Sequence, residues 1–244
     1  MKDLFSSNSV RYKQARPSYS SQIVKEILKH VPERTFAWDC AAGSGQFTQL
    51  LAPYFEQVLA TDISEAQLQQ APYFENVSYQ VQAAEQTTIA QHCIDLVTVA
   101  QAIHWFDFEA FYKEVKRVLK AQGVLAVIGY GLIQVQDAAI NALVQQLYFD
   151  SLKDYWDSER RYIDELYQTI PFPFQEQKVP ELHLHYQWTG QQLLSYLNTW
   201  SALIHYQDHN THDPLQPISA ALQAGPEYLD VTFPVLLRVG IREK

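Results

Sequence analysis

Phe36-Ala-Trp-Asp-Cys-Ala-Ala-Gly-Ser-Gly-Gln-Phe-Thr48, followed by Gln57-Val-Leu-Ala-Thr-Asp62, reads as a strand, a glycine turn, a helix and a second strand tipped by a carboxylate. Phe36 to Asp39 is short and apolar enough for a buried parallel strand. Gly43 and Gly45 permit the positive φ and close backbone approach of a tight turn, and Phe47 to Phe55 then resumes helical spacing. In a doubly wound sheet a carboxylate at the tip of the second strand takes the two hydroxyls of an adenosine ribose, while the glycine turn lies under the rest of the ligand. The competing reading, an ordinary strand-to-helix turn, leaves Asp62 unexplained.

The turn also discriminates between adenosine cofactors. A dinucleotide fingerprint needs a small third residue so that the helix packs on the strand and presents its N-terminus to a pyrophosphate. Thr48 stands there instead, and the loop beyond Asp39 is longer, with room for a methionine-like tail. S-adenosylmethionine fits this loop better than NAD.

Strand and helix patterns alternate along the chain through residue 128, with strands at Phe36 to Asp39, Val58 to Thr61, Val77 to Val81, Asp95 to Ala100 and Val124 to Ile128. This implies a parallel sheet with helices on both faces and a ligand crevice over the carboxyl ends of the strands, where Asp39, Asp62, Glu85 and Gln101 fall. From Asp137 the pattern changes to helical stretches at Ala138 to Trp156 and Arg160 to Ile170, then a period-two run at Glu181 to Trp188, a helix from Gly190 and a closing strand at Tyr228 to Val239.

The composition narrows the partners. The 244 residues suffice for one core with a cap, and 18 basic against 27 acidic residues give a formal charge of −9 that repels phosphate backbones, so nucleic acid is not expected as a partner. No stretch approaches the ~18 apolar residues of a membrane span, and Met1 to Ser9 has no apolar signal core. These readings predict a cytoplasmic protein with no membrane partner; they leave the oligomeric state open. Cys40 and Cys93 form no disulfide framework, and the run His205, His209, His212 is broken by Asn210 and Pro214, so no metal is expected.

Asp39-Cys-Ala-Ala-Gly-Ser-Gly-Gln46 resembles the first motif of class I S-adenosylmethionine-dependent methyltransferases, Thr61-Asp-Ile-Ser64 the second and Ala83-Ala-Glu85 the third. Ile94 to Asp107 resembles the fourth strand and its loop, and Val118 to Leu125 the approach to the fifth strand. With Tyr12 to Tyr19, Tyr196 to Ser201 and Phe233 to Gly240, the resemblance extends over nearly the whole chain, to the small-molecule branch that includes trans-aconitate methyltransferase. It implies an α/β Rossmann-like doubly wound sheet of seven strands, five parallel and a closing antiparallel pair, with residues 1–131 as the cofactor-binding core, 132–178 as an inserted helical cap and 179–244 as the closing strands with a helix between them. One departure is Ala41, where the motif usually has its first glycine.

The resemblance also implies roles. Ala41, Gly43 and Gly45 would face the methionine end beside Asp39, with Asp62 on the ribose, Ile63 on the adenine face, and Ala84 and Glu85 near the adenine amino group. Gln101, His104 and Trp105 would lie under the methyl donor, with His104 either a general base or a pocket-shaping residue. Tyr12, Arg16 and Tyr19 belong to an N-terminal segment that folds over the cofactor, Arg16 pairing with the methionine carboxylate. Tyr19, Trp105, Tyr130 and Trp200 would line the acceptor pocket. The expected reaction is in-line methyl transfer to a small molecule; the alternatives are a nicotinamide oxidoreductase and a cofactor-binding protein without catalysis. Because Val179 to Leu237 holds no Lys or Arg, the acceptor should carry low charge and an apolar body, with Tyr186, Trp188, Tyr196, Trp200 and Tyr206 around it. Arg160 and Arg161 are expected on a solvated helix face, unless one turns inward to a single carboxylate.

Overall fold

The computed structural model describes residues 15–243. Helix α1 (Ser21–Leu28), capped by the Ser20 hydroxyl accepting from the Gln22 N–H, leads to β1 (Phe36–Cys40). The glycine turn follows, then α2 (Thr48–Leu51), a 3-10 turn at Ala52–Tyr54, β2 (Gln57–Asp62), α3 (Glu65–Leu68) and β3 (Val77–Val81). The expected helix from Phe47 to Phe55 is split here, because Pro53 has no N–H to continue the α ladder. Next come β4 (Ile94–Ala100), α4 (Phe108–Val118), β5 (Leu119–Tyr130), β6 (Gln134–Val135), α5 (Ala138–Gln146), α6 (Arg161–Asp164) and β7 (Gln175–Gln177). Strand β8 (His183–Thr189), α7 (Gly190–Leu197), α8 (Ser201–His209), α9 (Gln216–Ala224) and β9 (Tyr228–Ile241) complete the chain.

Strands β3, β2, β1, β4 and β5 lie side by side in that order and all parallel, so the order reverses between β1 and β4. Burial is nearly continuous along β1, β2, β4 and the second half of β5 because both faces are covered, with successive side chains packing on opposite faces. Ala37, Leu96 and Val124 pack with Ile23, Ile27 and Leu51 on one face, while Trp38, Val97 and Leu125 pack with Phe111, Val115 and Val118 on the other.

The sheet has nine strands where seven are expected. The long β9 runs antiparallel to β5 through Val235 to Ile241 and to β6 at Val231 and Thr232. Its other edge carries β7 beside Val239 to Ile241 and β8 beside Tyr228 to Pro234. Strands β7 and β8 therefore share the place of one closing strand, interrupted at residues 178–182. Two of the nine strands lie inside 132–178, so the helical part of that stretch runs from Ala138 to Asp164. The helix expected over Arg160 to Ile170 stops at Asp164, since Leu166 and Tyr167 take φ of 54° and 61°.

Candidate active site

The carboxyl ends of β1, β2, β4 and β5 open into one cavity, walled by the glycine turn, Arg16 and Tyr19, the segment Trp156 to Ile163, and Trp200 with Ser201. On the turn, Ala41, Gly43 and Gly45 have φ of 54°, 55° and 74°. The Ala42 N–H donates to the Thr61 carbonyl at 2.9 Å, which ties the turn to the tip of β2. The Asp62 carboxylate accepts from the Gly43 N–H at 2.8 Å and the Ser64 N–H at 2.9 Å, so it is oriented on both sides by backbone. Ser64 in turn caps α3 through its hydroxyl.

The two glycines have different work. A Cβ on Gly43 would meet nothing nearer than Gln67 Oε1 at 3.9 Å, so bare backbone faces the cavity there. That surface fits a ligand tail laid across the turn. A Cβ on Gly45 would meet Ala71 and Pro72 at 3.1 Å, and Gly45 does not line the cavity. Gly45 is thus required by packing, which corrects the expectation that it touches the cofactor.

Asp39 is corrected likewise. It is fully buried beneath the turn, accepts from the hydroxyls of Thr48 at 2.5 Å and Thr98 at 2.7 Å, and does not line the cavity. Burial raises its carboxyl from the usual carboxylate range to about 6, the two threonine bonds opposing that rise. Thr48, which sequence reading used only to disfavour a dinucleotide, pins the start of α2 to β1 through this carboxylate.

At the tip of β4, Gln101, His104 and Trp105 reach the cavity together with Ala41, Asp62, Ile63 and Tyr130. Gln101 has φ of 54° and its N–H donates to the Ile128 carbonyl at 2.8 Å. The His104 ring is tilted 47° against Trp105, and its Nδ1 is 3.2 Å from the hydroxyl of Tyr167, which is also 3.2 Å from Gln101 Oε1. Burial first, and then the charges of Arg160 and Arg16, push the His104 pKa down to about 3, so the ring is neutral at pH 7. Burial also pushes the Tyr167 phenol up, which keeps its proton in place.

Arg16 donates to the Tyr130 hydroxyl at 3.3 Å and the Thr199 carbonyl at 3.0 Å and lies over the Tyr196 ring; Tyr19 packs edge-on against Phe47. Tyr12 lies outside the described residues. Ala84 is buried and Glu85 accepts from the Asp107 N–H at 3.3 Å; neither lines the cavity, so these two sit one layer away from it.

The cap side departs most from expectation. Arg160 turns inward, its side chain only 15% exposed and its guanidinium over Trp156 at 4.9 Å and Tyr148 at 5.2 Å. Its Nε donates to the Tyr148 hydroxyl at 2.7 Å, and that hydroxyl donates to Asp164 at 2.5 Å. The two terminal nitrogens make no hydrogen bond to protein among the described residues. Arg161 is exposed and donates to its neighbour Tyr162. Tyr19, Trp105, Tyr130 and Trp200 line the cavity, whereas of the aromatics expected around an acceptor between Tyr186 and Tyr206 only Trp200 reaches it. Trp188 and Tyr196 pack around Phe233, Tyr186 donates to the Ser18 carbonyl, and Tyr206 rests on Tyr155. Trp156 and Tyr167 carried no sequence signal of their own.

Among the described residues no helix is long and apolar enough to cross a membrane, and no group of three His, Cys, Asp or Glu side chains is placed to hold a metal ion.

Comparison with known proteins gives a consistent answer. A methyltransferase-domain profile matches residues 38–127, the stretch that carries the glycine turn and the tip of β4. A protein of Dictyostelium discoideum named as a methyltransferase is 33% identical over 251 residues, which cover 99% of this chain and 95% of the relative. A solved structure from Anaeromyxobacter dehalogenans, described as a type II methyltransferase, superposes with a TM-score of 0.87 at 38% identity, over 94% of this chain and 99% of that one. Phosphoethanolamine N-methyltransferase 2 of Haemonchus contortus, solved with S-adenosyl-L-methionine, shares the fold at a TM-score of 0.53 and 15% identity, covering 98% of this chain and 57% of that one. Full-length relatedness, the parallel order of five strands and a bare glycine turn beside Asp62 lead to one conclusion: the chain belongs to the class I S-adenosylmethionine-dependent methyltransferases and is an enzyme that uses that cofactor.

Proposed function

We propose that the enzyme methylates a small molecule with an apolar body and one anionic group, and that Arg160 holds that group. The observation that carries this reading is Arg160 itself, a cation turned into the cavity with Nε engaged by Tyr148 and its two terminal nitrogens unused by protein among the described residues. A guanidinium edge with two parallel N–H groups suits a carboxylate. Trp156, Trp105, Tyr130 and Trp200 offer flat apolar surface for the rest of the molecule. This revises the low-charge acceptor to a monoanion and leaves a tricarboxylate without enough partners.

On the cofactor side, Ala41 and Gly43 would receive the methionine end, Asp62 the ribose hydroxyls and Ile63 the adenine, and Arg16 on the same cavity wall would face the methionine carboxylate. When bound, S-adenosylmethionine supplies an electrophilic methyl group on a sulfonium. The protein's share is then alignment and exclusion of water, which the wall formed by Trp156, Asp157, Arg160 and Ile163 would provide. Gln101, His104 and Trp105 lie between the two halves, where the acceptor atom would be presented.

The test compares 4-hydroxybenzoate, 4-hydroxybenzyl alcohol and trans-aconitate as acceptors, scored by S-adenosylhomocysteine release. We expect 4-hydroxybenzoate to be preferred, and Arg160→Met to lower its kcat/KM by roughly 10- to 150-fold, the range for a bond to a charged group, with cofactor affinity unchanged. Equal turnover of the neutral alcohol, or no effect of Arg160→Met, would remove the anion from the proposal.

A further inference from the structure

Besides Ala41 on the glycine turn, Gln101 and Tyr167 adopt backbone conformations that their types avoid. Gln101 has φ of 54° and Tyr167, a bulky aromatic, has φ of 61°. Such outliers persist only where the surroundings over-determine them, and they cluster where geometry serves function. The surroundings here do so. Tyr167 is fully buried; its N–H donates to the Tyr162 carbonyl at 2.7 Å, and its carbonyl accepts from Arg238 Nη1 at 2.9 Å. Arg238 is held in turn by a two-point ion pair with Glu176. Strand β5 clears space for the ring: a Cβ on Gly129 would fall 2.7 Å from the Tyr167 ring and 3.0 Å from Gln101 Oε1.

These strained residues meet at one hydroxyl, and its hydrogen bonds can be assigned by elimination. Gln101 Nε2 donates to the Tyr130 carbonyl at 3.3 Å, so the amide presents its oxygen to Tyr167. A carbonyl oxygen only accepts, so the Tyr167 proton is spent on Gln101 Oε1. The same hydroxyl must then accept from His104 Nδ1, 3.2 Å away. A neutral imidazole carries one proton, which is therefore on Nδ1.

We propose that Tyr167 is a positioning residue that fixes His104 as the Nδ1–H tautomer, leaving Nε2 as the lone-pair nitrogen that takes the proton from a hydroxyl or ammonium acceptor. The inference rests on the methyl-transfer reading for its purpose. As the acceptor atom bonds to the methyl carbon, the methyl–sulfur electron pair stays with sulfur. The acceptor's O–H or N–H pair stays with that atom, and the proton moves to Nε2; the imidazolium returns it to water after product release. Burial first, and then Arg160 and Arg16, disfavour that imidazolium; an anionic acceptor on Arg160 would offset only the charge part of this.

The experiment is nitrogen NMR of histidine-labelled full-length protein, with and without S-adenosylhomocysteine, the His104 signals being assigned by their loss in His104→Gln. The expected wild-type spectrum has protonated Nδ1 and lone-pair Nε2. Tyr167→Phe should release the ring to a mixture of tautomers. Gln101→Met should reverse the assignment, because the phenol is then freed to donate to Nδ1 and the ring proton moves to Nε2. A wild-type ring protonated on Nε2, or two variants with wild-type spectra, overturns the proposal; if Tyr167→Phe fails to fold, Gln101→Met alone decides. No acceptor is needed, so this result is independent of the panel that tests the methyl-transfer reading.

Discussion

The glycine-turn wall and the cap-side wall of the cavity are built differently. In the first, the ties are mostly short: Thr48 reaches Asp39 over 9 residues and Gly43 reaches Asp62 over 19, with Thr98 adding one to Asp39 over 59. In the second, His104 meets Tyr167 across 63 residues and Arg238 meets Tyr167 across 71. A wall closed by near neighbours is written as a motif. A wall closed by distant ones exists only once the topology has brought β5, β9 and the cap together. The two should therefore fail differently: damage to the first affects cofactor binding and local folding, and damage to the second affects acceptor handling.

The largest expected effect lies under the first wall, at Asp39. Its unfolded carboxyl titrates near 3.9 and its folded one near 6. Between those values the folded state holds more protons, so this group's contribution to stability is fully present below about pH 4 and is lost as pH rises toward 6. The difference is worth about 3 kcal/mol. In Asp39→Asn that dependence disappears while both threonines keep a partner. Urea unfolding of both proteins at pH 4, 5, 6 and 7 should show the variant gaining on wild type with rising pH. Parallel profiles would mean that the buried carboxylate is better solvated than its surroundings suggest.

Asp62→Ala comes next. It removes the acceptor for the Gly43 and Ser64 N–H groups along with the proposed ribose contact, and should weaken S-adenosylhomocysteine binding by roughly 1.5–3 kcal/mol in calorimetry. An unchanged dissociation constant would detach Asp62 from the cofactor. On the opposite wall, Gly129→Ala drives a methyl group into the Tyr167 ring and should cost about 1–3 kcal/mol of stability by overpacking. Cofactor affinity should survive it. Loss of cofactor binding in Gly129→Ala at full folding would show that the two walls are coupled, contrary to the comparison.

The same contrast explains what could be read from the chain. Strand alternation, the turn and Asp62 were legible because hydrophobic period and glycine spacing are local. The split of the expected helix at Pro53 was also legible in principle, since proline removes a donor. The inward turn of Arg160 was not: it depends on Tyr148 and Asp164 on the same cap and on which face of that cap meets the sheet. Asp39 and Gly45 fell within a binding motif, yet one holds the turn from below and the other packs against Ala71 and Pro72. Tyr167 had one indirect sign, a glycine inside the apolar run of β5, which marks close approach by another group.

The smallest effect sharpens the comparison at Ala41, whose φ of 54° is a conformation glycine adopts without strain. A side chain there costs about 1–2 kcal/mol, and glycine gives back about 0.5–1 kcal/mol in added freedom of the unfolded chain. Ala41→Gly should therefore stabilise the fold by no more than about 1.5 kcal/mol, a rise of at most about 3–6 °C in Tm for a chain of this size. Ala41 also lines the cavity, so calorimetry with S-adenosylhomocysteine separates two contributions. If affinity changes by less than about threefold, well under 1.4 kcal/mol, the methyl group only strains the turn. If affinity rises tenfold or more, the methyl group intrudes on the ligand, and the first wall, local as it is, has been tuned at the expense of cofactor binding.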